Sequence, residues 1–510
     1  MAYNYKSKKY SAKNSAKNST KNSTKNNKFR NELCSNNMTF QDCELAILRH
    51  AVDETEKLKG EKIIQNEEIK KILSILEKFL KNNKLVCYGG TAINEILPKE
   101  AQFYNRDIEI PDYDFYSTDA MNDAKRLADI YYKQGYTEVE AKSGVHFGTY
   151  KVFVNFIPIA DITQLHKNIF KTIYKEAITI SGIKFAPPNF LRMNMYLELS
   201  RPHGDVSRWE KVLKRLNLLN KYYPLKNETD KCEKINFQTK REGNDDDNQM
   251  LYILARDALI DQGVIFFGGY ATSLYSKYMK NDEKQKVRKI PDFDVLAEDI
   301  EKCADVMKER LTEEGYKNIK IIEREEIHEI IPKSIELKVG NNTIAYIYKP
   351  IACHSYNTIN ISGKQIHIAT IDTILTFYLA FIYANEQQYN KDRLLCMANY
   401  LFEVEEHNRL ENKGLLKRFS VNCYGKQLTL EDIRSEKAAK FKELAAHKNG
   451  NEYQQWFLKY TPAYKVNEKN KTRKLHSIEK EKEEEQEQNV EIPKKTKIIQ
   501  DKKSDTGFLF

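Results

Sequence analysis

No stretch of this sequence approaches the roughly 20 consecutive apolar residues that a bilayer-spanning helix needs. The lysines near its start have no apolar run behind them. A membrane-anchored or signal-led protein is therefore not expected, and the chain reads as soluble and not secreted. Cysteine is present without a pattern. The eight residues, at 34, 43, 87, 232, 303, 353, 396 and 423, never stand in C-x-x-C spacing or beside an H-x-x-x-H. Neither a zinc site nor a disulfide framework is suggested, and a reducing compartment fits. Acidic residues are absent from the first 30 positions, where eight Lys and Arg30 give a charge of +9. Subtracting that from the net +10 leaves +1 on residues 31–510, so overall basicity says little about the surface of the folded part.

What the sequence has is length. At 510 residues and 41% hydrophobic composition it can bury more than one core, because single cores stop growing at about 250 to 300 residues. The expected ends are unlike the middle. Residues 1–38 read as a disordered basic arm around the tetrapeptide repeat SAKN-SAKN-STKN-STKN of Ser11 to Asn26, and residues 465–510 as a charged, mobile tail.

Between them lies an internal repeat. One copy runs KLVCYGGTAINEIL, IPDYDFYS, VFVNFIPIADIT and ISGIKFAPPNFL; the other runs VIFFGGYATSLY, IPDFDVLA, AYIYKPIACHS and ISGKQIHIATIDTIL. Gly90 and Gly269 are 179 positions apart, Asp112 and Asp292 180, Gly182 and Gly363 181. A constant offset over ordered blocks indicates a duplicated domain, its period far above that of a solenoid. Each copy reads as an amphipathic helix, a short apolar strand, a Gly-Gly turn, a helix, a D-x-D strand and further strands. That pattern describes a mixed α/β fold with an antiparallel or mixed sheet flanked by helices.

The chemistry concentrates in the first copy. On a strand, Asp112 and Asp114 project from one face while Tyr113 and Phe115 pack on the other. Two carboxylates on one face repel unless a hard cation neutralises them. A third acid, Asp161, ends the apolar run that begins at Val152. Three carboxylates suit two-metal phosphoryl transfer, with ions about 3.5 to 4 Å apart on the attacking and leaving oxygens. In that assignment Asp112 and Asp114 bridge both Mg²⁺ ions, and Asp161 holds the one that activates the incoming hydroxyl. Gly89, Gly90 and Thr91 form the phosphate end, where bare backbone and a helix N-terminus near Thr91 offer N–H groups. Farther on stand Arg192, Arg201-Pro-His-Gly-Asp, Arg208, Lys211 and Arg215. On a helix Arg208, Lys211 and Arg215 share a face, either as a solvated ridge or as a basic one meeting triphosphate or nucleic acid. Trp209 is expected in the core.

Gly-Gly-Thr, D-x-D and a strand-borne third Asp resemble the polymerase-β-type nucleotidyltransferase superfamily. VCYGGTAINEIL, IPDYDFYS and IADIT together resemble the poly(A) polymerase catalytic subunits of large DNA viruses, the mimivirus-like giant viruses and more distantly the poxviruses. The resemblance covers roughly residues 65 to 400. It implies two tandem nucleotidyltransferase-like domains, a catalytic one over 39–235 and a degenerate one over 236–464. It further implies ATP as donor, Mg²⁺ or Mn²⁺ as cofactor, RNA 3′ ends as acceptor, and a viral factory or virion as location. The family's catalytic and metal-binding triad falls on Asp112, Asp114 and Asp161, and its phosphate turn on Gly89, Gly90 and Thr91. Arg192, Arg208 and Lys211 are the further candidate nucleotide contacts.

The second copy is expected to be silent. Aligned on Pro-Ile-Ala, Asp161 stands over Cys353, and Thr91 is replaced by Tyr270, whose phenol should crowd a triphosphate. Asp292 and Asp294 persist. Cys353 shows no partner ligands for a soft ion. The silent copy is expected to serve structure and self-association as a homodimer, and poxvirus enzymes of this kind use a separate processivity partner. Alternatives are terminal uridylyl transfer, tRNA CCA addition, small-molecule modification, or a non-catalytic RNA-binding scaffold.

Overall fold

The computed structural model describes residues 33–34, 38–64, 66–104, 111–225, 232, 234–235, 241–287, 290–327, 330–384, 389–408 and 410–462. Apart from residues 33, 34 and 38, the expected basic arm lies outside them, as does the expected tail. The chain divides into two compact units, one of residues 1–70 and 105–111, the other of 71–104 and 112–510. In the first unit the helix Phe40–Ile64 is preceded by Thr39, whose hydroxyl and amide both donate to the Asp42 carboxylate. The second unit contains both copies of the repeat.

Strands of the first copy are Val86–Tyr88 (β1), Tyr113–Ser117 (β2), Val139–Ser143 (β3), Thr149–Val154 (β4), Ile157–Gln164 (β5), Ile178–Ile180 (β6) and Ile183–Phe185 (β7). Those of the second are Ile265–Phe266 (β8), Phe293–Leu296 (β9), Ile319–Arg324 (β10), Ser334–Val339 (β11), Asn342–Tyr348 (β12), His354–Ile361 (β13) and Lys364–Ala369 (β14). Two short strands follow, Cys423–Tyr424 (β15) and Lys459–Tyr460 (β16). The sheet orders are β16-β3-β4-β5-β2-β1-β7-β6 and β10-β11-β12-β9-β8-β14-β13-β15. Without β16 and β15 the two orders are the same, and so are the strand senses: antiparallel throughout except β2 with β5, β1 with β7, and their counterparts β9 with β12 and β8 with β14. The duplicated mixed-sheet fold expected from the repeat is therefore present.

The two added edges differ. β15 extends the second sheet beside β13, whereas β16, at the end of the second half of the chain, pairs with β3 of the first sheet. The segment leading to β16 is tied to the first sheet at several points. Trp456 packs at a tilt against Phe147 at 4.4 Å between ring centres, Tyr150 donates to the Gln455 carbonyl at 3.1 Å, and Lys437 donates to the Gly144 carbonyl at 2.6 Å.

Tight turns set the registers. The run Val152 to Asp161 is broken by a two-residue turn at Asn155 and Phe156, with φ of 49° and 65°, because both central residues must be left-handed for a turn whose twist matches its strands. Asp161 accordingly belongs to β5, which starts at Ile157. The two Ser-Gly turns, Ser181-Gly182 and Ser362-Gly363, have the same geometry and close the matching hairpins β6–β7 and β13–β14.

Cores follow from patterning. On the helix Glu67–Asn82, Ile72, Leu76, Phe79 and Leu80 recur at helical spacing and are buried. The helix Ile371–Ala384 is apolar on all sides and buried along its whole length, with Tyr383 edge-on to Phe190 of the helix Pro188–Leu199 at 5.2 Å. This contact joins the two repeats. At the start of the same helix the buried Asp372 carboxylate accepts from Arg418 at 2.9 Å, and Arg418 also pairs with buried Glu405 at 2.7 Å.

The cysteines depart from expectation. Cys34–Cys43, Cys232–Cys396 and Cys353–Cys423 are paired as disulfides, while Cys87 and Cys303 are buried and free. Separations of 164 and 70 residues leave no local spacing signal for the last two pairs.

Candidate active site

Asp112 immediately precedes β2 and Asp114 lies within it. On the opposite face the fully buried Tyr113 donates to Glu77 at 2.9 Å, and Phe115 packs 6.4 Å from Phe79. β2 thus turns Tyr113 and Phe115 to the helix behind the sheet and its acids to the open face. Along β5, Asp161 is the register partner of Asp114. Paired residues of adjacent strands project to the same side, so the third acid faces the same way as the first two. One row crosses the sheet: Tyr88, Asp114, Asp161 and Lys151, on β1, β2, β5 and β4.

All three acids line a cavity of about 700 Å³, together with Gly89, Gly90, Thr91, Arg208, Lys211 and Arg215. The carboxylates are poorly compensated. Burial, then the neighbouring Asp112 and Asp161 charges, push the Asp114 carboxyl up to about 7. Burial and Asp161 also raise that of Asp112. Lys151 pairs with Asp161 and is the cation nearest the triad in register, a contact the sequence pattern did not indicate. Three converging oxygen donors with this excess of negative charge fit hard divalent cations.

The Gly-Gly turn is dictated by the same acids. Gly89 has φ of +73°, and a Cβ there would lie 2.5 Å from an Asp114 carboxylate oxygen. At Gly90 a Cβ would meet the Tyr104 hydroxyl at 2.7 Å and the Arg215 guanidinium at 2.8 Å. The helix Gly89–Ile96 begins at Gly89, two residues before the expected start, and its first residues line the cavity. Thr91 lines the cavity, but its buried hydroxyl donates to the Asp112 carbonyl at 2.6 Å. Its hydroxyl hydrogen thus holds the D-x-D backbone in place and is not offered to the cavity.

The basic cluster divides. Arg208, just before the helix Trp209–Tyr222, and Lys211 and Arg215 within it line the cavity. Arg208 pairs with Glu198 at 3.2 Å; Arg215 stacks over the Phe103 ring at 4.8 Å and donates to the Tyr104 hydroxyl at 2.5 Å. Arg192 is elsewhere. It is 0% exposed and donates to Asn220 at 2.7 Å, to Asn189 and to the Tyr223 carbonyl. It ties two helices together and cannot reach a nucleotide in the cavity, which corrects the expectation drawn from its place in sequence. Arg201, Tyr104, Asn194 and Gln427 also line the cavity. Only Arg201, in the Arg-Pro-His-Gly-Asp run, had a sequence signal. Trp209 is half-buried and donates its indole N–H to the Glu198 carbonyl at 3.0 Å.

In the second copy the matching cavity is about 150 Å³, lined by Gly269, Asp292, Asp294 and Tyr346 among others. Register, not the Pro-Ile-Ala tripeptide, gives the true counterpart of Asp161. Asp294 pairs with Tyr346, as Asp114 pairs with Asp161. The third carboxylate is absent, as expected, but the residue in its place is Tyr346 rather than Cys353. Lys151 is likewise matched by Glu336, which Arg324 neutralises. Asp294 accepts from the Gly269 amide at 3.2 Å, and buried Arg241 stands 3.5 Å from Asp292. Tyr270 packs edge-on against Phe266 at 4.8 Å and is buried in the core, so it does not crowd this cavity. Cys353 is paired with Cys423 in a disulfide, with a ring nitrogen of His203 within 4.8 Å of both sulfurs.

Comparison with known proteins agrees with this geometry. Residues 74–205 match the family model described as the poly(A) polymerase catalytic subunit. The poly(A) polymerase catalytic subunit of African swine fever virus (strain Badajoz 1971 Vero-adapted) is 34% identical over 164 residues, 31% of this chain and 34% of that protein. Its counterpart from Acanthamoeba polyphaga mimivirus is 34% identical over 159 residues, 30% of this chain and 26% of that one. The match thus spans about a third or less of each relative's length. The crystal structure of the Megavirus polyadenylate synthase superposes with a TM-score of 0.70 at 20% identity, covering 88% of this chain and 92% of that one, and so shares the fold. The segment that holds the Gly-Gly turn and all three acids is the part of the chain that is similar to the viral poly(A) polymerase catalytic subunits.

Proposed function

We propose that this protein is a polynucleotide adenylyltransferase that adds AMP from ATP to RNA 3′ ends, with the first repeat catalytic and the second silent. The observation that carries the reading is the convergence of Asp112, Asp114 and Asp161 on one cavity, opposite the Gly89-Gly90 turn. Asp112, Asp114 and Asp161 would hold Mg²⁺ or Mn²⁺, which supplies positive charge to the attacking and leaving oxygens of an in-line displacement. The chain's own part is positioning. Backbone N–H groups of Gly90 and Thr91 at the helix start receive the terminal phosphates. Arg208, Lys211 and Arg215 form one basic wall for triphosphate or RNA backbone. Asp161 would take the proton of the acceptor's 3′-hydroxyl. Tyr88, stacked on Tyr116 at 3.8 Å and bonded to Thr163 at 3.0 Å, stiffens the floor.

Silence of the second repeat is supported by Tyr346 in the third acid's place, by Arg241 beside Asp292, and by the Gly269 amide bonded to Asp294. Self-association through the second domain, a separate processivity partner, and residence in the viral factory or virion complete the proposal, the last because the named relatives are proteins of large DNA viruses. The deciding experiment incubates the protein with an RNA oligonucleotide, Mg²⁺ or Mn²⁺, and each nucleoside triphosphate in turn. Extension with ATP is expected. Preference for UTP, or no extension with any of the four, would overturn the assignment. Sedimentation of the protein with and without RNA tests the dimer.

A further inference from the structure

The open faces of β2 and β5 continue past the acids. Two residues on, Tyr116 and Thr163 line a second cavity of about 160 Å³. A strand residue advances about 3.3 Å, so these side chains stand about 7 Å farther along the sheet than Asp114 and Asp161. That is about the distance from an α-phosphate to its base in an extended nucleotide. The two cavities share Tyr116, Asn194, Leu197 and Arg201 and therefore adjoin.

The far wall comes from the silent repeat. His354, Thr376, Phe377 and Ala380 close the cavity opposite the catalytic sheet. His354 is 0% exposed, and among the described residues neither ring nitrogen has a hydrogen-bond partner. A buried polar group without a partner costs stability, so its retention calls for a ligand. Its position is fixed by its neighbour: the Ser355 amide donates to the Ser200 carbonyl at 2.8 Å, and the Ser355 hydroxyl bonds Thr370 at 2.7 Å. Burial, and then the charge of Arg201, lower the imidazole's pKa to about 3. It is therefore neutral, with one donor and one acceptor nitrogen. The Phe377 ring lies 5.0 Å from it.

We propose that this cavity receives the adenine base of a substrate nucleotide, with His354 hydrogen-bonding the base and Tyr116 and Phe377 as its aromatic walls. Adenine presents an amino donor beside ring-nitrogen acceptors, so it can satisfy a neutral imidazole without bringing charge into the cleft. The inference rests on the nucleotidyl-transfer reading. It also gives the second repeat a task, because without that repeat the base site has only one wall.

Equilibrium binding of ATP and of tripolyphosphate, with Mg²⁺ and no RNA, separates the base contact from the phosphate contact. His354→Phe is expected to weaken ATP about tenfold or more, the loss of one buried hydrogen bond. Tripolyphosphate binding should stay within about twofold. His354→Gln, which keeps a donor and an acceptor, should recover part of the loss. The adenine can also be that of the RNA 3′ end. In that case ATP binding is unchanged, and His354→Phe abolishes a preference for oligonucleotides ending in A over those ending in U. Equal weakening of ATP and tripolyphosphate in both variants, or no change in either arm, would overturn the proposal. Selective loss of ATP binding in a protein that extends no RNA would leave the base site standing while the polymerase reading fell.

Discussion

The two repeats share a sheet and differ along one row across it. In the first, Tyr88, Asp114, Asp161 and Lys151 follow one another over four strands. In the second the row is Phe267, Asp294, Tyr346 and Glu336. The backbone that aligns two carboxylates in one copy aligns a carboxylate and a phenol in the other. Electrostatics follow: the first copy gathers three acids and pushes one of them up to about 7, while the second neutralises its acids with Arg241, Arg324 and a backbone amide. A site prepared for cations is one the fold leaves electrically incomplete; the other has been completed by protein. Fold and chemistry are separable here, since three changed positions of one row, with Arg241 beside it, account for the difference.

The sharpest way to break this comparison is to remove acids from each copy. Asp112→Ala with Asp114→Ala should lower RNA extension by on the order of 10³-fold or more, while Asp292→Ala with Asp294→Ala leaves it within about twofold. Equal losses would end the one-active-copy account. Next come the glycines. Gly89→Ala puts a Cβ 2.5 Å from the Asp114 carboxylate in a left-handed conformation, and activity should fall roughly 10²-fold as that carboxylate is displaced. Gly268→Ala, whose Cβ would overlap Asp294, should cost about 1 to 3 kcal/mol in thermal unfolding and leave kcat of the folded fraction unchanged.

A third test uses pH. A carboxyl raised in the folded state stabilises below its unfolded pKa and loses that contribution as pH rises through its folded value, here from the ordinary carboxylate range through about 7. The metal-free protein should therefore lose stability over that window, an effect Asp114→Asn removes. Divalent-ion affinity should run the other way, rising about tenfold per pH unit below 7 and levelling above it as the displaced proton is no longer bound. Calorimetry in two buffers of different ionisation enthalpy reads the released proton. The smallest effect is expected from Tyr346→Asp in an Asp114→Ala background. It restores a third acid, yet Arg241 and the Gly269 amide still occupy its neighbours, so extension should stay at the background level.

Much of this was legible before any coordinates. The Gly-Gly turn, the D-x-D pair and the duplication are local patterns, and local patterns survive in a sequence. Register is not local. Pro158-Ile159-Ala160 lies inside β5, whereas Pro350-Ile351-Ala352 follows the end of β12, so matching the tripeptides shifted the third position from Tyr346 to Cys353. Arg192 looked like a member of a basic cluster because burial cannot be read from neighbouring charges; its partners Asn220 and Tyr223 are 28 and 31 residues away. Lys151 and His354 were invisible for the same reason, each being defined by what lies across the sheet or across the repeats.

The strand Lys459–Tyr460 closes the edge of a sheet whose other members end near residue 185. During synthesis, the ribosome must therefore travel some 270 residues beyond the acid-bearing strands before their border is sealed, and Gln427, part of the cavity that holds the three acids, also emerges late. An excised first half would carry every acid and still present an open strand to solvent, a place for chains to associate. The edge and the cavity are thus completed only after a long stretch of further chain has been made.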